Sequence, residues 1–156
     1  MSHAFSPGHR VLDVDLRNAM PTDAHDVARL LSELGYPCDP ADAAERISLI
    51  LANDRQALVL ARREGAVCGL VALDYMYYLP LGTTTCRVTA LVVATSAQGQ
   101  GIGRHLLKEA ERRARSGGAA RIELTSGSQR TEAHAFYQAC GYGGSSVRFV
   151  KALGSA

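Results

Sequence analysis

The chain has 156 residues, 47% of them hydrophobic and 21% charged, and a formal net charge of +2. This length favours a single domain with a core of its own, and the composition is ordinary for a globular protein. The small net charge argues against nucleic acid as a partner. No apolar run approaches the roughly 20 residues that a membrane-spanning helix needs, so we expect no membrane partner either.

The cysteines and the N-terminus bear on the cellular compartment. The four cysteines are scattered without the spacing of zinc ligands, so we predict no metal site. Three of them lie in apolar patterns, which favours small buried side chains in a reducing compartment. The N-terminus lacks the basic and then apolar layout of a signal peptide. The predicted location is therefore the cytoplasm.

The first element in chain order is a strand. Residues 1–10 show no periodicity and are predicted to be a loose tail, which leaves residues 11–156 for the single domain. Leu12, Val14 and Leu16 then alternate with charged residues. This alternation predicts a half-buried strand at the edge of a sheet or beside it.

Two helices are predicted next, each with a start signal and an apolar stripe. Thr22-Asp23 is a candidate cap for the first helix, which should end at Gly35. Asp39-Pro40 supplies a cap and a first-turn proline for the second. The apolar stripes are Val27, Leu30, Leu31 and Leu34 in the first helix and Ile47, Ile50 and Leu51 in the second.

A hairpin and a third strand precede the middle of the chain. Residues 56–61 and 66–78 have strand patterns joined by a short polar turn, which predicts a β-hairpin. Pro80 and Gly82 interrupt the chain before residues 87–93, an apolar run rich in β-branched residues that is typical of a strand.

Three glycines at alternate positions follow that strand, in Gln98-Gly99-Gln100-Gly101-Ile102-Gly103-Arg104. They stand at the start of an amphipathic helix, where unpaired N–H groups and the positive end of the helix dipole attract phosphate. Neither a dinucleotide fingerprint nor a P-loop fits this spacing. The stretch therefore favours another kind of phosphate-binding loop, the alternative being a loop that only turns the chain. The helix's apolar stripe is Ile102, Leu106, Leu107, Ala110 and Ala114.

The last third of the chain is predicted to add a strand, a helix and a strand. Ser116-Gly117-Gly118 ends the central helix, and residues 121–125 form a short strand. A helical stripe of Ala133, Phe136, Tyr137 and Cys140 follows, and residues 147–152 read as a final strand. The predicted order is β-α-α-β-β-β-α-β-α-β, an α/β fold with a central mixed, mostly antiparallel sheet flanked by about four helices.

Two motifs in this order resemble those of the GNAT superfamily of N-acetyltransferases. Gln98-x-x-Gly101-x-Gly103 is similar to the family's acyl-CoA-binding motif, Q/R-x-x-G-x-G/A. The segment from Ala133 to Tyr142 resembles A-x-x-F/L-Y-x-x-x-G-F/Y, although a core helix with two aromatic residues would give a similar composition. The predicted element order also follows the GNAT fold, so the resemblance covers essentially the whole chain.

The resemblance implies acetyl-CoA as cofactor and assigns residues to it. The pantetheine arm would pair with the backbone of the central strand like an added strand, although these residues also suit core packing. The pyrophosphate would take N–H groups of the glycine loop. The residues implied are Leu91, Val92, Val93, Gln98, Gly99, Gln100, Gly101, Ile102, Gly103, Arg104 and, as a contact to a CoA phosphate or to the substrate, Arg130.

The resemblance also implies a general acid, on the position of Tyr137. A phenol stays protonated at neutral pH and can donate to the departing thiolate. The alternative is that the hydroxyl only forms a hydrogen bond to the CoA sulfur. Many relatives carry a glutamate as general base where this chain has Thr89, and Glu123 and His134 are substitutes by residue type only. The base is left open.

The predicted function is acetyl transfer from acetyl-CoA to a primary amine of a small molecule or peptide, within a ternary complex. The alternative is an acetyl-CoA-binding regulatory module with little or no turnover. Tyr75, Tyr77 and Tyr78 stand near a strand end, where they could line an acceptor cleft or a dimer contact. Many relatives are dimers, and a homodimer is expected here.

Overall fold

The computed structural model describes residues 13–126, 131–144 and 146–154. It consists of two compact units, one ending at Glu123 and the other beginning at Leu124. The predicted N-terminal tail, residues 1–10, lies outside the described residues. The described elements are strands β1 (Asp15–Asn18), β2 (Gln56–Arg63), β3 (Ala66–Tyr78), β4 (Thr83–Val93) and β5 (Arg121–Leu124), and helices α1 (Ala24–Leu34), α2 (Pro40–Leu51), α3 (Ile102–Ser116) and α4 (Thr131–Ala139).

The strands form one sheet in chain order, from β1 at one edge to β5 at the other. The three pairs β1–β2, β2–β3 and β3–β4 are antiparallel. The β2–β3 hairpin turns at Glu64-Gly65, as the sequence predicts. β1 is an edge strand, which confirms one of the two positions expected for it. It begins at Asp15, after Val14, and Leu12 lies outside the described residues.

Helix α3 packs on the sheet through the apolar stripe predicted for it, whose five residues are all buried. The contact is close at Gly69 of β3. A Cβ there would lie 3.1 Å from Leu106 Cδ1, 3.1 Å from the Val92 carbonyl oxygen and 3.4 Å from Ile102 Cγ2. The first turns of α3 therefore lie directly against β3 and β4, which places the glycine loop at the end of β4.

Helices α1 and α2 begin and end where the sequence predicts, but the predicted cap of α1 does not form. Gly35 ends α1 in the left-handed conformation, and the Asp39 carboxylate caps α2 by accepting from the Asp42 N–H at 2.9 Å. Asp23 stands at the N-cap of α1 but makes no capping hydrogen bond. Its carboxylate instead accepts two hydrogen bonds of 2.8 Å from Arg17 and one of 2.7 Å from the Met20 N–H.

The sequence-based expectations for the final strand and for Leu51 of α2 are wrong. The predicted final strand, residues 147–152, is irregular backbone, and the side chain of Phe149 is 90% exposed. Alternating apolar residues supply only a propensity, because a strand forms where a neighbouring strand completes its hydrogen bonds. In α2, Leu51 is exposed, and the buried positions are Ala43 and Ile47. The stripe therefore ends a turn earlier than the pattern indicates.

The cysteines are all unpaired thiols. Cys68 and Cys86 are buried, whereas Cys38 and Cys140 are partly exposed, so Cys140 is not the buried side chain that its pattern indicates. Burial raises the pKa of the Cys86 thiol to about 11. No helix among the described residues combines the length and the apolar character that crossing a membrane requires.

Candidate active site

The glycine motif forms the connection between β4 and α3, as predicted. Gly99 and Gly101 have φ values of 78° and 84°, in the left-handed region that other residues rarely adopt. A Cβ added at either position would meet nothing within 4 Å. Gly101 is the N-cap of α3, whose first-turn N–H groups have no partner within the helix. The loop thus directs donors and a positive helix end at open space, which suits a phosphate group.

Hydrogen bonds hold the start of this loop against the sheet. The Gln98 side-chain amide donates to the Val93 carbonyl at 3.3 Å, which closes the loop onto the end of β4. The Ala94 N–H donates to the Cys68 carbonyl at 2.8 Å, which continues the ladder between β3 and β4. The loop therefore starts from a fixed point.

Two side chains from outside the motif also hold the loop. The Glu33 carboxylate of α1 accepts hydrogen bonds from the Thr95 N–H at 2.8 Å and from the Thr95 hydroxyl at 3.0 Å. The backbone hydrogen bond from Thr95 lowers the pKa of Glu33, which keeps it ionised. Arg63, at the end of β2, donates to the side-chain oxygen of Gln100. No motif in the sequence marks either interaction.

The backbone of Leu91–Val93 lies at the end of β4 that leads into the loop. On one side these residues pair with Gly69–Val71 of β3. β5 meets β4 near the other end of that strand, where the Ala120 N–H donates to the Thr84 carbonyl at 2.9 Å. This arrangement suits the predicted use of the Leu91–Val93 backbone as a strand edge for a ligand.

A β-bulge interrupts β4 at Thr89, and the sequence gives no sign of it. Ala72 pairs with Ala90 and Leu73 pairs with Val88, so Thr89 is the extra residue. Its side chain is exposed, and its hydroxyl donates to the Ala72 carbonyl at 3.4 Å. Bulges of this kind free backbone groups from the ladder. Thr89, at the position where the resemblance places a glutamate in many relatives, is therefore the bulge residue of β4.

Charged side chains cross from β4 to β5 beyond this bulge, and we call them the charged strip. The Glu123 carboxylate lies 3.4 Å from Arg87 Nε and 3.3 Å from Arg121 Nη2. Arg121 also donates from Nε to the Thr85 hydroxyl at 3.2 Å, and its guanidinium lies 4.3 Å from the ring centre of Tyr78. Glu123, one of the candidate bases, is thus held between two arginines.

The three tyrosines near the end of β3 have different surroundings. Tyr75 faces α3, because a Cβ at Gly117 would lie 2.9 Å from its ring. Burial is the largest cause that raises the pKa of its phenol. Tyr78 lies under Arg121, and Tyr77 is 58% exposed. Tyr77 is the most exposed of the three, whereas Tyr75 and Tyr78 are half-buried.

Tyr137, the candidate general acid, belongs to the second unit and lies on α4. Its ring packs edge-on against Phe136 at 5.4 Å and stacks with Tyr142 at 6.3 Å between ring centres. The Tyr142 N–H donates to the Tyr137 carbonyl at 2.9 Å, just past the helix end. The motif residues of this segment are thus neighbours in space. Arg130 lies outside the described residues.

Comparisons with known proteins agree with this geometry. The model of the acetyltransferase (GNAT) family matches residues 24–142. An aminoalkylphosphonate N-acetyltransferase from Salmonella typhimurium is 34% identical over 140 residues, which are 89% of this chain and 91% of that protein. An aminoglycoside N(6')-acetyltransferase from Stenotrophomonas maltophilia is 30% identical over 131 residues, 81% of this chain and 84% of that protein. A solved aminoglycoside N-acetyltransferase in complex with CoA superimposes with a TM-score of 0.80 at 19% identity, covering 96% of this chain and 99% of that one.

Proposed function

This chain belongs to the acetyltransferase (GNAT) family and transfers an acetyl group from acetyl-CoA to an amine, and we propose that its acceptor is a primary amine of a small molecule. The predicted family, fold class, cofactor and enzyme class are confirmed by the family match and the two N-acetyltransferase relatives. The names of both relatives support a small-molecule acceptor, since aminoalkylphosphonates and aminoglycosides are small amines.

The glycine loop carries the assignment of the cofactor site. Its left-handed glycines and the open helix start at Gly101 leave backbone donors facing open space. In our proposal these N–H groups bind the pyrophosphate of acetyl-CoA, and the Leu91–Val93 backbone binds the pantetheine arm. When bound, acetyl-CoA supplies the activated acetyl group. The proposed contacts are Leu91, Val92, Val93, Gln98, Gly99, Gln100, Gly101, Ile102, Gly103, Arg104 and Arg130.

Two groups of this chain would then assist transfer within a ternary complex. A backbone N–H near Val92 donates to the acetyl oxygen, on which negative charge develops when the amine attacks. The Tyr137 phenol donates its proton to the departing thiolate, whose conjugate acid has a pKa of about 8.5 in a simple thiol. The match of Tyr137 to the family motif supports this role.

Solvent is the proposed acceptor of the amine's proton. Thr89 replaces the glutamate of many relatives, and its hydroxyl donates to Ala72. Glu123 is held between Arg87 and Arg121. The exposure of Thr89 gives water access to this part of β4. The value of kcat/KM should therefore rise with pH towards the acceptor's own pKa, which is about 10.4 for a lysine-type amine.

The first experiment measures thermal unfolding with and without acetyl-CoA, for the wild type and for Gly103→Glu. Cofactor at a hundred times its Kd should stabilise the wild type by about 2.7 kcal/mol. The glutamate places negative charge at the helix start, so the shift should disappear while the variant stays folded. An equal shift in both proteins would show that the pyrophosphate binds elsewhere.

Thiol release from acetyl-CoA then tests turnover with a panel of amines. For Tyr137→Phe, kcat should fall by about 10²-fold or more while the KM for acetyl-CoA stays unchanged, because general acids contribute in that range. An unchanged kcat would leave the hydroxyl only as a hydrogen-bond partner of the sulfur. Cofactor binding without release of thiol for any amine would favour the regulatory module instead.

A cytoplasmic homodimer completes the proposal. The buried free thiols Cys68 and Cys86 support a reducing compartment. Tyr77, Leu79 and Leu81 are exposed around the β3–β4 connection, and they support an interface there. Light scattering after gel filtration would measure the mass, and a Leu79→Lys variant should be monomeric if this surface forms the dimer.

A further inference from the structure

The charged strip offers more positive than negative charge at its centre. Arg87 and Arg121 share the single carboxylate of Glu123, which leaves one net positive charge among these three side chains. Both arginines are accessible, with 43% and 40% of their side chains exposed. Each guanidinium has three nitrogen atoms that can donate, so two arginines paired with one carboxylate retain capacity for a further anion.

We propose that the charged strip binds an anionic group of the acceptor, so that the preferred substrates are short primary amines that carry a phosphonate, phosphate or carboxylate. This inference rests on the proposed acetyl transfer to a small amine. Arginine presents a planar set of donors that matches such oxyanions in two-point contacts. An anion bridging Arg87 and Arg121 would also reduce the repulsion between them.

The position of the strip on β4 determines how long the acceptor can be. Arg87 precedes the bulge residue Thr89 by two positions, and the strand continues to Leu91–Val93 at the cofactor end. At about 3.4 Å per residue, Arg87 and Thr89 are separated by about 7 Å along the strand. This span is the upper limit for the distance between amine and anion, because the long Arg87 side chain can extend towards the bulge. A chain of two or three carbons between the two groups is therefore sufficient.

The neighbouring strands set the side from which the anion approaches. Asp74 of β3 is the register partner of Arg87, and both side chains lie on the face of the sheet away from α3. In the described structure Asp74 forms no ion pair, so its carboxylate repels an anion on the β3 side. The opposite side is β5, where Arg121 extends the positive surface. The anion is thus directed to the gap between Arg87 and Arg121.

If the charged strip only stabilised the fold, its variants would have a different effect from that expected of a binding site. Exposed ion pairs contribute about 0–1 kcal/mol to folding, so variants would change stability slightly and would treat all amines alike. A binding role instead predicts discrimination between amines that differ only in charge. Removal of the Glu123 charge distinguishes the two roles. In a structural cluster it would only lose an ion pair, whereas in a binding site it would improve the use of anionic amines, because the Glu123 carboxylate competes with an acceptor anion for the same arginines.

The experiment compares acceptors in matched pairs, 2-aminoethylphosphonate with propylamine and β-alanine with the same neutral amine. The wild type should show a kcat/KM at least about tenfold higher for the anionic member. Arg87→Gln should lose about 10- to 100-fold for anionic amines and little for propylamine, as expected for a lost hydrogen bond to a charged group. Glu123→Gln should increase kcat/KM for the anionic amines.

The control variant is Arg115→Gln, which also removes an arginine but at the exposed end of α3. It should have the kcat/KM values of the wild type.

Calorimetry provides a readout independent of turnover. Titration of 2-aminoethylphosphonate into the protein saturated with CoA should give a Kd that weakens in Arg87→Gln and tightens in Glu123→Gln. The Glu123 variant keeps the test valid if the Arg87 variant does not fold. Equal use of neutral and anionic amines by the wild type would overturn the anion site while acetyl transfer stands. Cofactor binding with no amine acetylated would overturn the small-molecule acceptor and the anion site together.

Discussion

The two ends of β4 are built from different parts of the chain. At the Val93 end, the proposed ligand contacts are backbone N–H groups of one continuous segment, from the strand to the start of α3. At the Arg87 end, they are side chains from β4 and β5, with Asp74 of β3 beside them. A site of backbone groups needs particular conformations, whereas a site of side chains needs particular functional groups.

This difference decides how each end tolerates substitution. A backbone N–H is present in every residue type except proline, so a substitution at the proposed cofactor end should weaken binding only if it disturbs the required φ. The acceptor end should respond to charge, because its donors are guanidinium groups. The same strand can thus hold a fixed cofactor site and a variable acceptor site.

Among the variants that test this difference between the two ends of β4, Gly101→Ala should have the largest effect, on the affinity for acetyl-CoA. The left-handed conformation costs an L-residue about 1–2 kcal/mol, and a Cβ there meets nothing within 4 Å, so strain is the main consequence. We expect acetyl-CoA affinity to weaken about tenfold, measured by calorimetry. Gly101→Asn should lose less, because asparagine tolerates this conformation better.

Gly118→Ala is the matched control for that variant. Gly118 has a φ of 80°, stands just beyond the opposite end of α3, and also has no atom within 4 Å of an added Cβ. It should lose comparable stability and keep the affinity of the wild type. If both variants weakened binding equally, the effect would be general loosening of α3 and the comparison would fail.

A smaller effect is expected for Glu33→Gln, which tests whether the cofactor end also depends on a distant side chain. The amide keeps an acceptor for Thr95 but loses the charge that strengthens both hydrogen bonds. The KM for acetyl-CoA should rise about three- to tenfold, since hydrogen bonds to charged groups contribute about 1.5–3 kcal/mol and only part is lost. Steady-state kinetics should show kcat unchanged.

Asp26→Asn separates that effect from a general change in α1. Asp26 pairs with Arg29 at 3.4 Å, and Arg29 also lies 4.0 Å from Glu33, so this variant changes the ion pairs of α1 and leaves the hydrogen bonds from Thr95 to Glu33 in place. A matching rise in KM for both variants would contradict a specific role for Glu33. An unchanged KM in Glu33→Gln would mean that the local backbone is sufficient to hold the loop.

The smallest effect concerns Glu109 on α3, remote from both ends of β4. Hydrogen bonds from Arg112 are the largest cause that lowers its pKa, from a usual 4.5 to about 2, with Arg113 contributing. Because the folded-state pKa is depressed, the stabilisation is present above about pH 4.5 and is lost as pH falls towards 2. Glu109→Gln should reduce unfolding free energy by about 1 kcal/mol at pH 7.

Denaturant titrations of wild type and Glu109→Gln across this pH range provide the measurement. The difference between the two proteins should shrink towards zero near pH 2, and acetyl transfer at pH 7 should not change. Glu45→Gln, an exposed position on α2, is the control for loss of a carboxylate. A constant difference at all pH values would mean that the ion pairs with the arginines contribute no net stability.

The structural features that the sequence predicts correctly depend on residues that lie close together along the chain. The apolar stripe of α3 is spaced as a helix requires, and all five residues are buried. Gly35 ends α1 and Asp39 caps α2, because caps depend on residues a few positions apart. The glycine loop belongs to the same class. These local features make the fold and the position of the glycine loop predictable, whereas its binding of the cofactor stays a prediction.

The failures share a dependence on residues distant in sequence. Asp23 binds Arg17 from β1 instead of capping α1, and this contact also lowers its pKa. The bulge at Thr89 depends on the register between β3 and β4. The final strand was predicted from alternation alone and lacks the ladder that would form it. The charged strip likewise requires knowing that β5 lies beside β4.

The close approach at Gly69 has a consequence for how such a chain can change over evolution. Because Gly69 has no side chain, the start of α3 can pack directly against β3 at a fixed distance. An alanine would require Leu106 or the Val92 carbonyl to give way by a few tenths of an ångström. That shift would move the beginning of α3, and with it the loop donors, relative to β4. In the proposed division of β4, charges at the Arg87 end can change without moving α3, whereas a side chain at position 69 would displace the loop at the Val93 end.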